Sequence, residues 1–140
     1  MDYNRDFFNA YSLVHRPLMN HINRILEKHH LSSSYWRVLR ILDASESKRF
    51  GEITDALYIE KPALTKIIKK LAEMGFVHIQ RGQDKREKIV MLTSLGKTEM
   101  AAIRQELNPF LAHALQGLSE EQIYNTIDVL QIIQKNITSY

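Results

Sequence analysis

The sequence predicts a mainly α-helical fold with one small β-hairpin, an α+β class, and three observations lead to this prediction. Apolar residues recur at three- and four-residue spacing along most of the 140 residues, which is the period of amphipathic helices. From 76 to 92, apolar and polar residues alternate around a five-residue basic loop, as they do in a hairpin. A helix with lysines on one face directly precedes that hairpin. This order predicts a winged helix-turn-helix flanked by N- and C-terminal helices.

The first predicted helix is long and amphipathic, and Pro17 within it predicts a kink. Serines at 32–34 are candidate N-caps for a second helix, whose predicted buried side contains Trp36, Leu39 and Leu42. Trp36 is therefore interpreted first as a core residue. The apolar positions that define the first helix are Phe7, Phe8, Tyr11, Val14, Leu18, Ile22, Ile25 and Leu26.

The next segment predicts a helix-turn-helix. Residues 49–51 are predicted as an extended entry to a third helix, in which Ile53 and Leu57 lie one turn apart and face inward. Residues 58–61 form the predicted turn, and Pro62 suits the first turn of the following helix because an N–H there would be unpaired. That helix has two faces at 100° per residue. The predicted core face contains Leu64, Ile67, Ile68 and Leu71, and the opposite face contains Pro62, Thr65, Lys66 and Lys69.

Positive charge is concentrated in this helix and in the hairpin that follows. Residues 61–88 contain eight basic and three acidic side chains, a net charge of +5, whereas the whole chain carries +3. The rest of the chain is therefore net acidic. A lysine face on one helix is usually a solvated surface. Followed by a basic hairpin loop, it instead indicates a surface that binds a polyanion, in keeping with a pI near 9.2.

The end of the chain predicts two more helices. Gly75 terminates the lysine-faced helix, strands follow at 76–81 and 87–92, and Thr93 can cap a long helix with a bend at Asn108-Pro109. Gly117 ends that helix. Ser119 and Gln122 then form a capping box for a last helix with apolar residues at three- and four-residue spacing.

Composition narrows the functional classes. A hydrophobic content of 44% supports a core for one domain, and the absence of cysteine excludes disulfides and thiol chemistry. No apolar run approaches the roughly 18 residues needed to span a bilayer. We therefore expect a soluble cytoplasmic protein with no membrane partner and no cofactor. The sequence contains no phosphate-binding glycine loop and no cysteine nucleophile, so an enzyme is not predicted.

The stretch from Ile53 to Gly96 resembles the winged helix-turn-helix of the MarR (multiple-antibiotic-resistance regulator) family. The resemblance consists of Thr65, Leu71-x-x-x-Gly75, Asp84-x-Arg86 and Leu92-Thr93-x-x-Gly96, with 31–36 matching the family's approach to its second helix. The sequence departs from the family at two positions. Tyr58 stands where glycine is common, and Glu60 replaces a small hydroxyl cap.

The resemblance implies a single domain over 1–140. Residues 1–30 and 94–140 would be the helices of a homodimer, and 32–93 the winged part that binds a double-stranded, palindromic DNA operator. Thr65 and Lys66 would contact base edges, and Lys69 or Lys70 phosphates. Arg86 would enter the minor groove, with Asp84 fixing its direction. The predicted DNA-binding residues are Pro62, Ala63, Thr65, Lys66, Lys69, Lys70, Asp84, Lys85 and Arg86.

The resemblance also implies a repressor of a bacterial or archaeal cell, found with the nucleoid when bound. A small aromatic or anionic effector would bind near His15, Trp36 and Arg37. Two other functions stay open. A zinc-responsive regulator of the same fold would use Glu27, His30 and His113, although no paired ligand spacing supports it. A winged-helix protein of DNA architecture would bind without sequence preference.

Overall fold

The structure is a computed structural model, which describes residues 1–84 and 86–140. The described residues are mainly helical, with a small antiparallel sheet of three strands in the order β1-β3-β2. This agrees with the predicted fold class. The elements in chain order are α1 (Tyr3–Lys28), α2 (Ser33–Asp43), β1 (Lys48–Arg49), α3 (Phe50–Leu57), α4 (Lys61–Glu73), β2 (Val77–Arg81), β3 (Lys88–Leu92), α5 (Ser94–Ala114) and α6 (Glu120–Thr138).

The chain divides into two compact units, a first unit of Met1–Leu107 and a second unit of Asn108–Tyr140. The core of the first unit is formed by apolar side chains from α1, α2, α3, α4, β2, β3 and α5. The hairpin of β2 and β3 lies against it, with Val77 opposite Leu92 and Ile79 opposite Val90. The most deeply buried side chains are Leu26, Val38, Leu39, Leu42, Ile53, Leu64, Ile68, Leu71, Val90, Met100 and Ile103.

Helix α1 continues through Pro17 to Lys28. Its N-terminus is capped by Asp2, whose Oδ1 accepts a hydrogen bond from the N–H of Arg5 at 3.1 Å. The buried residues of α1 lie in its last two turns, at Ile22, Ile25 and Leu26. The predicted apolar stripe is therefore divided, because its second half packs in the core and its first half is exposed.

The structure differs from the sequence-based predictions in two local details. Residues 48–49, and not 49–51, are extended, because Lys48 and Arg49 pair with Val90 and Ile89 as strand β1. Phe50 is instead the first residue of α3, where it is buried. Trp36 is only partly buried and not a full core residue, and its ring lies 4.6 Å from the guanidinium carbon of Arg40.

The second unit begins with the last residues of α5 and contains α6. The predicted capping box is present: the hydroxyl of Ser119 accepts from the N–H of Gln122 at 3.1 Å, and the Gln122 side chain accepts from the N–H of Ser119 at 3.0 Å. Helix α6, all of whose residues the structure describes, has no buried residue within the chain. Among the described residues, no helix combines the length and hydropathy needed to cross a lipid bilayer.

Candidate nucleic-acid interface

Helix α4 separates an apolar face from a cationic one. Leu64, Ile68 and Leu71 are buried, and Ile67 between them is half-buried. The hydroxyl of Thr65 donates a hydrogen bond to the carbonyl oxygen of Lys61 at 2.9 Å, which leaves its oxygen able to accept another. Every predicted DNA-contacting residue of this helix is exposed, namely Pro62, Ala63, Thr65, Lys66, Lys69 and Lys70.

The turn before α4 contains a strained residue. Tyr58, the C-cap of α3, adopts the left-handed conformation with φ 54° and ψ 46°. In that conformation its N–H and that of Ile59 both bond to the carbonyl of Thr54. For a residue with a Cβ, the left-handed region costs roughly 1–2 kcal/mol, whereas glycine enters it freely. The departure from glycine at this position is therefore a local cost that the surrounding fold offsets.

The end of α4 is fixed by the motif residues that follow it. Gly75 has φ 81°, its N–H bonds to Ala72, and the next N–H, of Phe76, bonds to Leu71. This is the Schellman arrangement, which favours glycine because of the positive φ. The spacing Leu71-x-x-x-Gly75 thus places a buried leucine one turn before the helix stop.

Thr93 joins the end of α4 to the start of α5. Its hydroxyl donates to the carbonyl oxygen of Gly75 at 2.5 Å and accepts from the N–H of Gly96 at 3.0 Å. A Cβ on Gly96 would lie 2.2 Å from the carbonyl oxygen of Phe76, so no other residue fits there without a backbone shift. The Leu92-Thr93-x-x-Gly96 spacing is therefore a packing requirement that holds the start of α5 against the segment that follows α4.

The wing loop, residues 82–87, is closed by backbone hydrogen bonds. The N–H of Gly82 bonds to the carbonyl of Glu87, and the N–H of Glu87 bonds to the carbonyl of Asp84, both at 2.9 Å. Oδ1 of Asp84 accepts from the N–H of Arg86 at 3.1 Å, and Arg86 is exposed. Lys85, also predicted to contact DNA, lies outside the described residues.

An ion-pair network lies at the base of the wing. The guanidinium of Arg49 contacts Glu52 at 3.1 Å and Glu87 at 3.3 Å, and Lys48 contacts Glu52 at 3.7 Å. The hydrogen bonds that the Arg49 guanidinium donates, first to Glu52 and then to Glu87, raise the pKa of Arg49 above its usual value. The N–H of Arg49, followed by its guanidinium, lowers the pKa of Glu52. Sequence analysis missed this network, because its members come from β1, α3 and the wing.

A groove of about 450 Å³ opens between the start of α3, the start of α4 and the wing. Its carboxylates are Glu52, Asp55 and Glu87. Its cations are Arg49, Lys61, Arg86 and Lys88. The first residue of α4 and the predicted DNA-contacting arginine of the wing therefore share one charged groove.

Comparison with known proteins places this geometry in a family. The MarR family profile matches residues 31–88. The HTH-type transcriptional regulator YwoH of Bacillus subtilis, itself uncharacterised, is 32% identical over 118 residues, which cover 84% of this chain and 86% of YwoH.

The chain belongs to the MarR family.

Solved structures of the MarR family share the whole fold. MarR of Staphylococcus aureus, in complex with salicylate and kanamycin, is 26% identical with a TM-score of 0.84, over 98% of this chain and 93% of that one. A MarR variant from E. coli, complexed with operator DNA, is 19% identical with a TM-score of 0.78, over 94% and 96% of the two chains. The second likeness concerns the fold alone.

The predicted effector residues of this MarR-family chain lie on α1 and α2. His15 is exposed, with its ring stacked 5.8 Å from that of Tyr11, and Arg37 is exposed. Trp36 is half-buried beneath Arg40. The rings of Tyr11, His15 and Trp36 and the cations Arg37 and Arg40 therefore lie on these two helices. Their role in binding an aromatic or anionic molecule stays a prediction.

The histidine with the most defined environment is one that sequence analysis did not select. His29, at the C-terminus of α1, bonds through Nδ1 to Glu99 and through Nε2 to Glu106 at 2.9 Å. Lys28 contacts Glu106 at 3.5 Å. Partial burial lowers the pKa of His29, but the bonds to both glutamates outweigh it and raise that pKa. The same bond from His29 lowers the pKa of Glu106.

The residues considered as zinc ligands are arranged differently. Glu27 and His30 are exposed at the end of α1, where His30 has a φ of 60°, and His113 is exposed in the second unit. Among the described residues, no group of three His, Asp or Glu side chains is arranged to hold a metal ion.

Proposed function

We propose that this MarR-family chain is a sequence-specific, DNA-binding transcriptional repressor that acts as a homodimer on a palindromic operator. The observation that carries the proposal is the exposed, cationic face of α4, which follows directly on Lys61, the residue of α4 that lines a charged groove together with Arg86 of the wing. Helices present such a face to the major groove, where base edges distinguish all four base pairs. A repressor is favoured over an activator because a bound dimer blocks the access of polymerase.

The contacts divide into reading and positioning. Thr65 and Lys66, on the first two turns of α4, would reach base edges, with Pro62 and Ala63 beside them. Lys69 and Lys70, one turn further along, would hold phosphates. Arg86 would enter the minor groove, where narrow A·T-rich DNA concentrates negative potential. Asp84 would direct it through the hydrogen bond to its backbone.

The homodimer proposal rests on apolar surface that each unit leaves exposed. In the first unit, the N-terminal half of α1 exposes Phe7, Phe8 and Tyr11, each at 41–50% of its surface. In the second unit, α6 exposes Ile127 and Leu130 similarly. Soluble monomers rarely leave large apolar patches in water, so the exposed apolar residues of each helix favour an apolar partner. Two-fold symmetry is the commonest arrangement of oligomers and matches a palindromic site.

The effector proposal rests on chemistry and on a relative. MarR of Staphylococcus aureus was solved with salicylate, an aromatic anion. His15, Trp36 and Arg37 together offer stacking and positive charge, which suits the same class of molecule. An effector that binds there would release the DNA if it favoured an arrangement of the winged parts that does not fit the operator.

The deciding experiment is selection of bound DNA from a random pool, followed by footprinting of the recovered sequences. We expect an imperfect palindrome whose half-sites lie about 10 base pairs apart, with A·T-rich flanks where Arg86 enters. Recovery of sequences with no shared motif would reject specific regulation. Weak, even protection of any DNA would then support the architectural alternative.

A further inference from the structure

We propose that Arg49 is a positioning residue for the wing, because its ion pair with Glu87 holds the wing loop in the orientation that lets Arg86 reach DNA. The inference rests on the proposed function, in which the wing contacts the operator. Arg49 itself would not read DNA, since its guanidinium is already occupied by two carboxylates. Its effect on DNA binding would pass through Glu87.

Glu87 is the residue that closes the wing loop. Its carbonyl accepts from Gly82 at one end of the loop, and its N–H donates to Asp84 within it. Asp84 in turn accepts from the N–H of Arg86. A shift of Glu87 would therefore move the segment that carries Arg86. The carboxylate of Glu87 also lies over the start of the loop, where a Cβ on Gly82 would be 3.0 Å from its Oε2.

Arg49 is held firmly enough to act as an anchor. Its backbone pairs with Ile89 in β1 and its N–H donates to the carboxylate of Glu52 at 3.0 Å. The same carboxylate accepts from its Nε at 3.1 Å, which orients the guanidinium towards Glu87. The link from Arg49 to Glu87 therefore joins the wing loop to the N-terminus of α3, in addition to the strand pairing of the sheet.

Neutralising the carboxylate of Glu87 tests the proposal, because the direction of the change in DNA affinity depends on the role of Glu87. A carboxylate beside a DNA-binding loop repels phosphate, so its neutralisation would tighten DNA binding if charge were all that mattered. If Glu87 anchors the loop, its neutralisation releases Arg86 and weakens binding instead. The two explanations thus predict opposite directions for one substitution.

The experiment is a double-mutant cycle on operator affinity with Glu87→Gln, Arg49→Gln and both together. We expect Glu87→Gln to weaken binding about two- to five-fold, the range of a partly exposed ion pair within a network. In the Arg49→Gln variant the ion pair with Glu87 is already absent, so adding Glu87→Gln should leave operator affinity unchanged or tighten it. Equal tightening in both backgrounds would overturn the proposal.

Lys48→Gln is the matched control. It removes one positive charge at the neighbouring residue, which contacts Glu52 at 3.7 Å. Lys48→Gln should lower operator affinity by the same factor in the wild type and in the Glu87→Gln variant. A coupling as large as that of Arg49 would mean that general charge, and not the Arg49 to Glu87 pair, explains the cycle.

A second readout needs no DNA. Exchange of the Gly82 amide hydrogen, whose bond to Glu87 closes the loop, should be faster in Arg49→Gln and Glu87→Gln than in Lys48→Gln. Equal exchange in all the variants would overturn the anchor even if the wing binds DNA. If exchange is faster in Arg49→Gln and Glu87→Gln but Arg86→Ala leaves operator affinity unchanged, the anchor is supported. The wing contact of the proposed function is then rejected.

Discussion

Helices α4 and α6 are both amphipathic, but they expose opposite faces. Helix α4 buries Leu64, Ile68 and Leu71 within the chain and exposes its lysines. Helix α6 has no buried residue within the chain and exposes 41–62% of residues such as Ile127 and Ile137. An exposed cationic face suits a polyanion, whereas an exposed apolar face suits another apolar surface. One pattern of spacing therefore indicates two different partners, and exposure decides between them.

We expect the largest effect from substitutions on the apolar face of α6. Replacement of Leu130 and Ile133 by lysine should abolish the proposed homodimer and with it operator protection, because charges would enter the proposed apolar interface. Sedimentation velocity and footprinting would measure both. The control is lysine at Asn125 and Gln131, which adds the same charge at positions that are not three- or four-residue neighbours of Leu130 or Ile133. A folded monomer that still protects a full operator at low concentration would contradict the arrangement.

The second largest effect is expected at the wing. Arg86→Ala should weaken specific binding by about 1–3 kcal/mol and leave the fold intact, since Arg86 is an exposed loop side chain. Operator affinity measured at one fixed salt concentration tests this. Arg5→Ala removes the same charge from the start of α1 and should change affinity much less. Unchanged affinity for folded Arg86→Ala would remove the wing from the mechanism.

Two substitutions separate phosphate contact from base reading on the cationic face of α4. Lys69→Ala should weaken binding to every DNA sequence and lower the salt slope by about 1, because one phosphate contact is lost. Thr65→Val should instead change the preference among operators. Titrations over a range of salt and of operator variants separate the two. If Thr65→Val lowered all affinities equally, the assignment of Thr65 to base reading would be wrong.

The smallest effect concerns stability in the first unit and not binding. The raised pKa of His29 means that its protonated form stabilises the fold, fully below about pH 6.5, the ordinary imidazole value. This contribution is lost as pH rises through the raised pKa. Between pH 6 and 9, the wild type should lose about 0.5–1.5 kcal/mol more unfolding free energy than His29→Gln, as measured by urea titration. His113→Gln, at an exposed site of the second unit, should lose as much as the wild type.

Local signals in the sequence were enough to predict much of the fold. The Gly75 helix stop, the Thr93 cap and the Ser119 capping box each depend on residues within a few positions, so their spacing predicts them. The helical period alone also placed Leu64, Ile68 and Leu71 in the core. The family and the fold class followed from the same local patterns. The DNA-contacting roles stay predictions, although the positions are exposed as expected.

Long-range pairs could not be predicted in this way. Arg49 and Glu87 are 38 positions apart, and His29 and Glu99 are 70 apart. Whether such pairs meet depends on how helices and strands pack, which periodicity does not specify. The partial burial of Trp36 could not be predicted either. The second helix has the predicted inward face, but the Trp36 ring lies at the edge of that face beside Arg40. Ion pairs on the surface leave no hydrophobic signal to detect.

Tyr58 limits which mutations the turn of the helix-turn-helix can accept during evolution. Because its backbone is left-handed, glycine, asparagine and aspartate are the replacements with the lowest steric cost, and valine or isoleucine are the worst. Its side chain is 65% exposed, so few packing contacts would be lost by any exchange. Within this chain, backbone geometry therefore restricts the position more than packing does. An exchange to glycine, asparagine or aspartate would relieve the cost of the left-handed backbone and keep the turn between α3 and α4.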